Sequence, residues 1–168
     1  VQVGAHCVIR DSVLADGVTV EPHTVIDGAR IDRGAAVGPF ARLRPGTELG
    51  EDTRIGNFVE TKKARLGAGT KASHLAYLGD AFVGERCNVG AGTITCNYDG
   101  VDKHETRIGD EVSGGTNTTL VAPLEVEDGA YIGAGSTITT RVAAAHLAVG
   151  RARQRNIKGW KPPAKRKR

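Results

Sequence analysis

Two basic side chains, Arg44 and Lys62, are spaced so that they could bind one anion together. They are 18 residues apart, and each directly follows a residue of the small or apolar type that faces a core. If six residues form one side of a three-sided coil, this spacing stacks the two cations on adjacent coils, ~5 Å apart. Stacked cations repel each other unless an anion lies between them, and phosphate suits Arg and Lys. The alternative is a solvated basic surface with Glu60 or Asp80 as counter-ion.

His74 is the candidate for proton transfer. In the same coil geometry, Asn57 and Ala91 lie beside it on the neighbouring coils, and the small alanine leaves room for a substrate next to the imidazole. Glu60 and Tyr77 share a second column close by. An imidazole with an ordinary pKa of about 6.5 can accept a proton near neutral pH. The alternative is a structural role, which is the usual one for a lone histidine.

A hexapeptide repeat must position these residues. Small or aliphatic residues recur at every fifth or sixth position, and glycine often follows. This period matches neither a strand (roughly 2 residues) nor a helix (roughly 3.6 residues), and its repetition indicates a solenoid. Three hexapeptides predict one triangular coil of short parallel strands with glycine-permitted corners, and the repeat predicts about seven coils. The alternative is a β-sandwich with accidental periodicity. The predicted inward positions are Val3, Ile9, Leu14, Val20, Ile26, Ile31, Val37, Leu43, Leu49, Ile55, Thr61, Leu66, Ala72, Leu78, Val83, Val89, Ile108, Gly114, Leu120, Val126, Ile132 and Ile138.

The repeat has one large interruption, between Val89 and Ile108. An irregular insertion in a regular scaffold is more often functional than accidental, so we predict a loop at about 96–107 that projects from one corner. The pattern weakens after Ile138. We therefore expect a β-helix domain over residues 1–140 and a C-terminal arm and basic tail over residues 141–168. This tail is either mobile, docked on a neighbouring subunit or bound to an anionic ligand.

Composition excludes several classes of protein. The chain has 168 residues, no methionine and a net charge of +4, much of it near the C-terminus. The missing methionine predicts that residue 1 is not the native start. No apolar run approaches a membrane span and no signal-peptide pattern is present, so we expect neither a membrane partner nor secretion. Cys7, Cys87 and Cys96 lack metal-ligand spacing, which favours reduced thiols in an intracellular protein.

Other chemistries have weaker support. A zinc site that combines His74 with His104 lacks a third ligand, so we expect no metal in this domain. The chain contains no P-loop, no G-x-S-x-G and no C-x-x-C motif. The basic end of the tail, Lys165–Arg168, could bind nucleic acid, but a run of like charges is usually solvated, and we expect no nucleic-acid partner.

Four segments closely resemble the C-terminal domain of the GlmU family, bacterial bifunctional glucosamine-1-phosphate acetyltransferases and N-acetylglucosamine-1-phosphate uridyltransferases. The resemblance runs from about the first coil to the tail. The last two segments carry it most specifically, because many acyltransferases share the bare hexapeptide repeat. The segments are Arg42–Gly46 (RLRPG), Gly56–Lys63 (GNFVETKK), Lys71–Asp80 (KASHLAYLGD) and Asn88–Gly100 (NVGAGTITCNYDG).

The resemblance implies an all-β fold, a left-handed parallel β-helix that forms a cytoplasmic homotrimer. The handedness comes from the family, because parallel crossovers are ordinarily right-handed. The resemblance also implies acetyl transfer from acetyl-CoA, a co-substrate, to the amine of glucosamine 1-phosphate. The product would be N-acetylglucosamine 1-phosphate, used for UDP-N-acetylglucosamine in peptidoglycan and lipopolysaccharide synthesis.

The same resemblance implies roles for individual residues. His74 would be the general base, and Glu60 would polarise or orient it. Backbone N–H groups near Ala91 are plausible donors to the oxyanion. The residues implied for the sugar phosphate are Arg44, Lys62, Tyr77, Asn88 and Lys103. The residues implied for acetyl-CoA are Ala91, Asn97, Tyr98, Thr116, Ala134 and Arg151.

Two departures from the family pattern have structural consequences. Ser113-Gly114-Gly115 stands where the family usually has a larger apolar residue followed by an aliphatic inward residue. Gly114 therefore predicts a loosely packed coil beside the acetyl-CoA groove. Thr116 replaces the usual serine, and its methyl group would tighten the cleft. The family's N-terminal nucleotidyltransferase domain has no counterpart in this sequence, so we expect neither uridyltransferase activity nor a Mg²⁺ requirement.

Two other functions remain open at this point. One is a hexapeptide-repeat acyltransferase with a different amine or hydroxyl acceptor. The other is a non-catalytic β-solenoid used for assembly or surface binding, which predicts no turnover.

Overall fold

The short strands of this protein are set by the spacing of its inward-facing residues. A computed structural model describes residues 1–161, which form 22 strands of two to seven residues and no helix. Lys165–Arg168, the basic end of the expected tail, lies outside the described residues. The strands are β1 (Gln2–Val3), β2 (Val8–Arg10), β3 (Val13–Leu14), β4 (Thr19–Val20), β5 (Val25–Asp27), β6 (Arg30–Ile31), β7 (Ala36–Val37), β8 (Arg42–Leu43), β9 (Glu48–Leu49), β10 (Arg54–Asn57), β11 (Glu60–Leu66), β12 (Lys71–His74), β13 (Tyr77–Val83), β14 (Asn88–Val89), β15 (Ile94–Cys96), β16 (Thr106–Ile108), β17 (Ser113–Gly114), β18 (Thr119–Val121), β19 (Leu124–Val126), β20 (Tyr131–Ile132), β21 (Thr137–Ile138) and β22 (Leu147–Ala148).

The strands stack in parallel into three faces of a triangular prism. The first face has the order β1-β4-β7-β10-β12-β14-β17-β20-β22, and the second has β2-β5-β8-β11-β13-β15-β18-β21. The third is β3-β6-β9-β11-β13-β16-β19, because β11 and β13 bend across a corner and pair on two faces. The coil is left-handed, so the fold is the left-handed parallel β-helix that the resemblance implied.

The prism is longer than the repeat alone predicted. The third face has seven strands, in agreement with the expected number of coils, but the first face has nine. The ladder also continues past Ile138, where the sequence pattern weakens, because Leu147 of β22 pairs with Tyr131 of β20. The segment that we assigned to the C-terminal arm therefore begins with one more strand of the first face.

The core is a narrow column of the predicted inward side chains. Those from Val20 to Val89 are all buried, and Ile26, Ile31 and Leu43 are completely so. Val3 and Ile9, on the first coil described, are exposed instead. The described residues include no helix long and apolar enough to cross a lipid bilayer.

The first corner, between the first and second faces, has the expected glycine on only some of its coils. On the first coils, its left-handed backbone positions hold stacked side chains. Ring centroids lie 4.9 Å apart for His6 and His23, 4.8 Å for His23 and Phe40, and 5.6 Å for Phe40 and Phe58. Stacking and ladder hydrogen bonds offset the conformational cost of about 1–2 kcal/mol per residue. The residues with positive φ along this corner are His6, His23, Phe40, Phe58 and Leu75, followed on the later coils by Gly92, Asn117 and Gly135.

Gly114 leaves a gap in the core, as its sequence position predicted. A cavity of about 20 Å³ lies between the coils, and Val89, Leu120 and Ile132 are among its lining residues. A Cβ atom added to Gly114 would lie 3.5 Å from the Asn88 carbonyl oxygen, which is an ordinary contact. The coil therefore lacks an inward side chain at a position where a small one would fit.

Gly114→Ala should increase the free energy of unfolding by about 0.5–1 kcal/mol, because it fills the cavity and restricts the unfolded chain. Gly67→Ala is the matched control, since its Cβ would lie 2.6 Å from the Gly84 carbonyl carbon. That clash should destabilise the fold by about 1–3 kcal/mol. Urea denaturation measures both changes, and a Gly114→Ala protein less stable than the parent would contradict the packing described here.

Candidate active site

His74 and three of the residues implied for acetyl-CoA lie in one column along the first corner. His74 pairs in register with Asn57 of the coil before it. On the following coils, Asn117 donates its backbone N–H to the Ala91 carbonyl at 2.7 Å, and Gly135 donates to the Thr116 carbonyl at 2.8 Å.

Each step from one coil to the next advances ~4.8 Å along the prism. The column that begins at His74 therefore continues through Ala91, Thr116 and Ala134 towards the C-terminal end. There, Arg151 Nη1 donates to the Ala134 carbonyl at 2.8 Å.

Arg44 and Lys62 occupy adjacent coils on the second face, as their spacing predicted. Leu43 pairs with Thr61, and the backbone N–H of Arg44 donates to the Thr61 carbonyl at 2.9 Å. The next step of this parallel register puts Arg44 beside Lys62, and Lys62 pairs with Gly79 on the coil after it. The ladder therefore places the two cations in one column at the edge of the second face.

Glu60 is the counter-ion of Arg44. Its Oε1 accepts a hydrogen bond from Arg44 Nη1 at 2.9 Å and lies 3.9 Å from Arg42 Nη1. In the described part of the chain, no hydrogen bond joins Glu60 to His74. In this structure, Glu60 is therefore the counter-ion of Arg44, which was the alternative considered in the sequence analysis. A bound phosphate would have to compete with Glu60 for Arg44.

Lys103 reaches Lys62 from the inserted loop. The adjacent Lys62 ammonium holds the pKa of Lys103 below its usual value, while Asp80 and Tyr77 oppose this shift. Two adjacent cations from segments far apart in sequence form a site that an anion would stabilise. This pairing brings together two of the residues implied for the sugar phosphate.

Gly79 and Asp80 belong to this cluster, although the sequence analysis gave Gly79 no role and considered Asp80 only as a counter-ion. A Cβ atom on Gly79 would lie 2.6 Å from Tyr77 Cζ and 2.8 Å from Asn97 Nδ2, so glycine makes room for both side chains. Asn97 Nδ2 donates to Asp80 Oδ2 at 2.5 Å. The repeat gave no signal for these contacts, because they join a regular strand to the irregular loop.

The inserted loop is shorter than predicted and is ordered as a hairpin. Strand β15 extends to Cys96 and β16 begins at Thr106, so the irregular residues are 97–105 rather than about 96–107. Tyr98 and Lys103 form an antiparallel bridge, and the Tyr98 hydroxyl donates to the Gly100 carbonyl at 2.6 Å.

The predicted residues fall into two groups in one chain. His74, Ala91, Thr116 and Ala134 line the first corner, whereas Arg44, Lys62, Lys103 and Asn97 lie near the second corner, where Asp80 turns the chain with a φ of 46°. The second face lies between the two groups, and Tyr77 projects from it. Asn88 is on the first face, paired with Lys71 and Ser113.

Metal-binding residues do not converge in the described chain. Among residues 1–161, no group of three His, Cys, Asp or Glu side chains could hold an ion. His104, which we considered for zinc, has its Nε2 at 2.7 Å from Asp99 Oδ2. Cys7, Cys87 and Cys96 are all unpaired thiols.

Replacing Lys62 by Met should raise the pKa of Lys103 towards its usual value, since the neighbouring positive charge is removed. Asp80→Asn should have the opposite effect, because the Asp80 carboxylate favours the charged ammonium. Both shifts can be measured by NMR titration of the lysine side-chain resonances. A Lys103 pKa that is unchanged in Lys62→Met would mean that the two ammonium groups are not adjacent.

Comparisons with known proteins bear on this arrangement. No family model matches the sequence. The bifunctional protein GlmU of Marinobacter nauticus is 58% identical over 165 residues, which cover 98% of this chain and 36% of that protein. GlmU of Alkalilimnicola ehrlichii is 56% identical over 166 residues, or 99% of this chain and 36% of that protein. The chain thus spans about a third of the length of these relatives.

Among solved structures, LpxA from Acinetobacter baumannii has a similar fold. The TM-score is 0.58 with 18% sequence identity, and the alignment covers 89% of this chain and 64% of that chain. At this identity the likeness concerns the fold alone. The identities to GlmU extend over nearly the whole chain and confirm the resemblance seen in the motifs: over the part of those proteins that it spans, the chain is a member of the GlmU family and corresponds to the C-terminal domain.

Proposed function

We propose that the chain is an acetyltransferase that moves the acetyl group of acetyl-CoA to the amine of glucosamine 1-phosphate. The observation that carries this proposal is the proximity of the Lys62 and Lys103 ammonium groups, which lowers the pKa of Lys103. Two neighbouring ammonium groups repel each other unless an anion lies near them, and phosphate is the charged group of the proposed acceptor. The relatives named GlmU support the same activity, and His74 supplies a base on the same coil as Tyr77.

His74 is the proposed general base. Its imidazole removes a proton from the ammonium group of the sugar, and the neutral amine then attacks the thioester carbonyl carbon of acetyl-CoA. The C–N bond forms first and gives a tetrahedral oxyanion. When this intermediate collapses, the C–S bond breaks, the nitrogen gives up a second proton, and CoA takes up a proton and leaves as a thiol. Backbone N–H groups near Ala91 are the proposed donors to the tetrahedral oxyanion. The reaction needs no covalent intermediate on the protein, so positioning supplies much of the rate.

The column Ala91, Thr116 and Ala134 is the proposed track for acetyl-CoA. It extends along the first corner from the proposed base towards Arg151, whose guanidinium is suited to the phosphates of CoA. The thioester then lies at the His74 end of the track. Thr116 lies in this column, and its methyl group would make the groove narrower than a serine would.

The proposed assembly is a homotrimer in which neighbouring copies complete each site. The outward column of the second face includes Val8, Val25 and Ile94, which are 40%, 38% and 39% exposed. The corresponding column of the third face is charged and includes Arg65 and Arg107. Packing the second faces around a threefold axis would bury this column, which is uncharged apart from the Arg42–Glu60 ion pair. It would also place the first corner of one copy beside the second corner of the next.

His74→Ala should lower the rate of CoA release with glucosamine 1-phosphate by at least ~10²-fold, because it removes the general base. His146→Ala is the matched control, since His146 lies far along the prism from His74 and its imidazole Nδ1 is 2.8 Å from the Ala144 carbonyl oxygen. Unchanged turnover in His74→Ala would exclude His74 from the mechanism. Equal rates with glucosamine and other acceptors would exclude the phosphate-specific reaction instead.

A mixture of two inactive variants should regain activity if the site is shared. In random mixed trimers of His74→Ala and Lys62→Ala, roughly a quarter of the sites would combine an intact first corner with an intact second corner. The activity of co-refolded mixtures, compared with each variant refolded alone, measures this. Activity no greater than that of the separate variants would show that each copy carries a whole site.

A further inference from the structure

We propose that Asp99 and His104 are positioning residues that close the inserted loop and thereby hold Lys103 beside Lys62. This inference rests on the proposed function, since it concerns the binding of the acceptor phosphate. Among the described residues, neither side chain forms a hydrogen bond with Lys62 or Arg44. Both act through Lys103, which directly precedes His104 in the chain.

The Asp99 carboxylate joins the two sides of the loop. Its Oδ1 accepts hydrogen bonds from the backbone N–H groups of Val101 at 2.8 Å and Asp102 at 2.7 Å. Its Oδ2 lies 2.7 Å from Nε2 of His104. One side chain thus ties the turn of the hairpin to the strand that follows Lys103.

Backbone contacts continue this closure at the base of the loop. The N–H of His104 donates to the Asn97 carbonyl at 2.9 Å, and the N–H of Asp99 donates to the Asp102 carbonyl at 3.2 Å. Asn97 in turn is anchored to Asp80 on β13. Lys103 therefore sits between an anchor on the scaffold and the Asp99–His104 pair.

The loop has little apolar packing of its own, so it depends on polar contacts such as Asp99–His104 to hold its two sides together. Val101 at its tip is 83% exposed, and Tyr98 is 60% exposed. Repulsion from Lys62 pushes Lys103 away from the scaffold in the unliganded chain. Without the Asp99–His104 contact, the loop would relax and separate the two ammonium groups, which would weaken phosphate binding.

The state of Asp99 fits this role. Hydrogen bonds from His104 and from the N–H groups of Asp102 and Val101 hold the pKa of Asp99 well below its usual range. The carboxylate therefore remains ionised, and able to accept these bonds, throughout the neutral pH range. An amide at this position would accept fewer of them.

The test compares Asp99→Asn and His104→Ala with His104→Gln, whose amide N–H can replace the imidazole donor. Val101→Ala is the matched control, because only the exposed side chain of the loop tip is removed. For Asp99→Asn and His104→Ala we expect the KM for glucosamine 1-phosphate to rise about tenfold, the value of one charge-assisted hydrogen bond, with kcat changed much less. His104→Gln should restore most of the affinity, and Val101→Ala should leave KM unchanged.

A second measurement does not depend on turnover. In His104→Ala, the pKa of Lys103 should rise towards its usual value as the loop carries it away from Lys62, and the amides of Val101 and Asp102 should exchange faster with solvent. An unchanged Lys103 pKa in His104→Ala, or a fall in kcat at constant KM, would overturn the proposal. If the parent protein fails to acetylate glucosamine 1-phosphate, the proposed function is wrong, and the Lys103 pKa still decides whether the pair positions the loop.

Discussion

The structure depends on the parallel hydrogen-bond ladder that stacks one coil on the next. Because each coil must pair in register with its neighbours, each residue lies next to the residue at the same position of the preceding coil. The aliphatic core keeps that register, since a slip of one residue would turn inward side chains to solvent. Columns of side chains are therefore a consequence of the ladder, and the candidate site residues Arg44, Lys62 and His74 occupy such columns.

The proposed site uses this register in two ways. Along the first corner it lines up small residues from Ala91 to Ala134, which leaves an open track beside His74. Near the second corner it builds a cation cluster that the regular scaffold alone could not complete, because Lys103 comes from the inserted loop. The scaffold fixes the spacing of Arg44 and Lys62, and the inserted loop adds the Lys103 charge at a position that no residue of the regular coils occupies.

Much of the fold and part of the site could be predicted from the sequence, because they depend on spacing along the ladder. The period identified the buried residues, the Arg44–Lys62 column and the gap at Gly114. The stacked aromatic corner was missed, since the expectation of glycine ignored what ring stacking can stabilise. The hairpin and its Asp99–His104 contact were missed because irregular residues have no period. Spacing also says nothing about distance across a face, so the separation of His74 from Lys62 was not expected.

The most direct test of the central claim is a crystal structure of the protein with CoA and glucosamine 1-phosphate bound. The account predicts that CoA follows the first corner past Thr116 and Ala134 with its thiol end at His74. It also predicts that the sugar phosphate lies against Lys62 and Lys103, with the amine directed towards His74 of the same or a neighbouring copy. CoA bound on the charged third face, or a phosphate remote from both lysines, would contradict it.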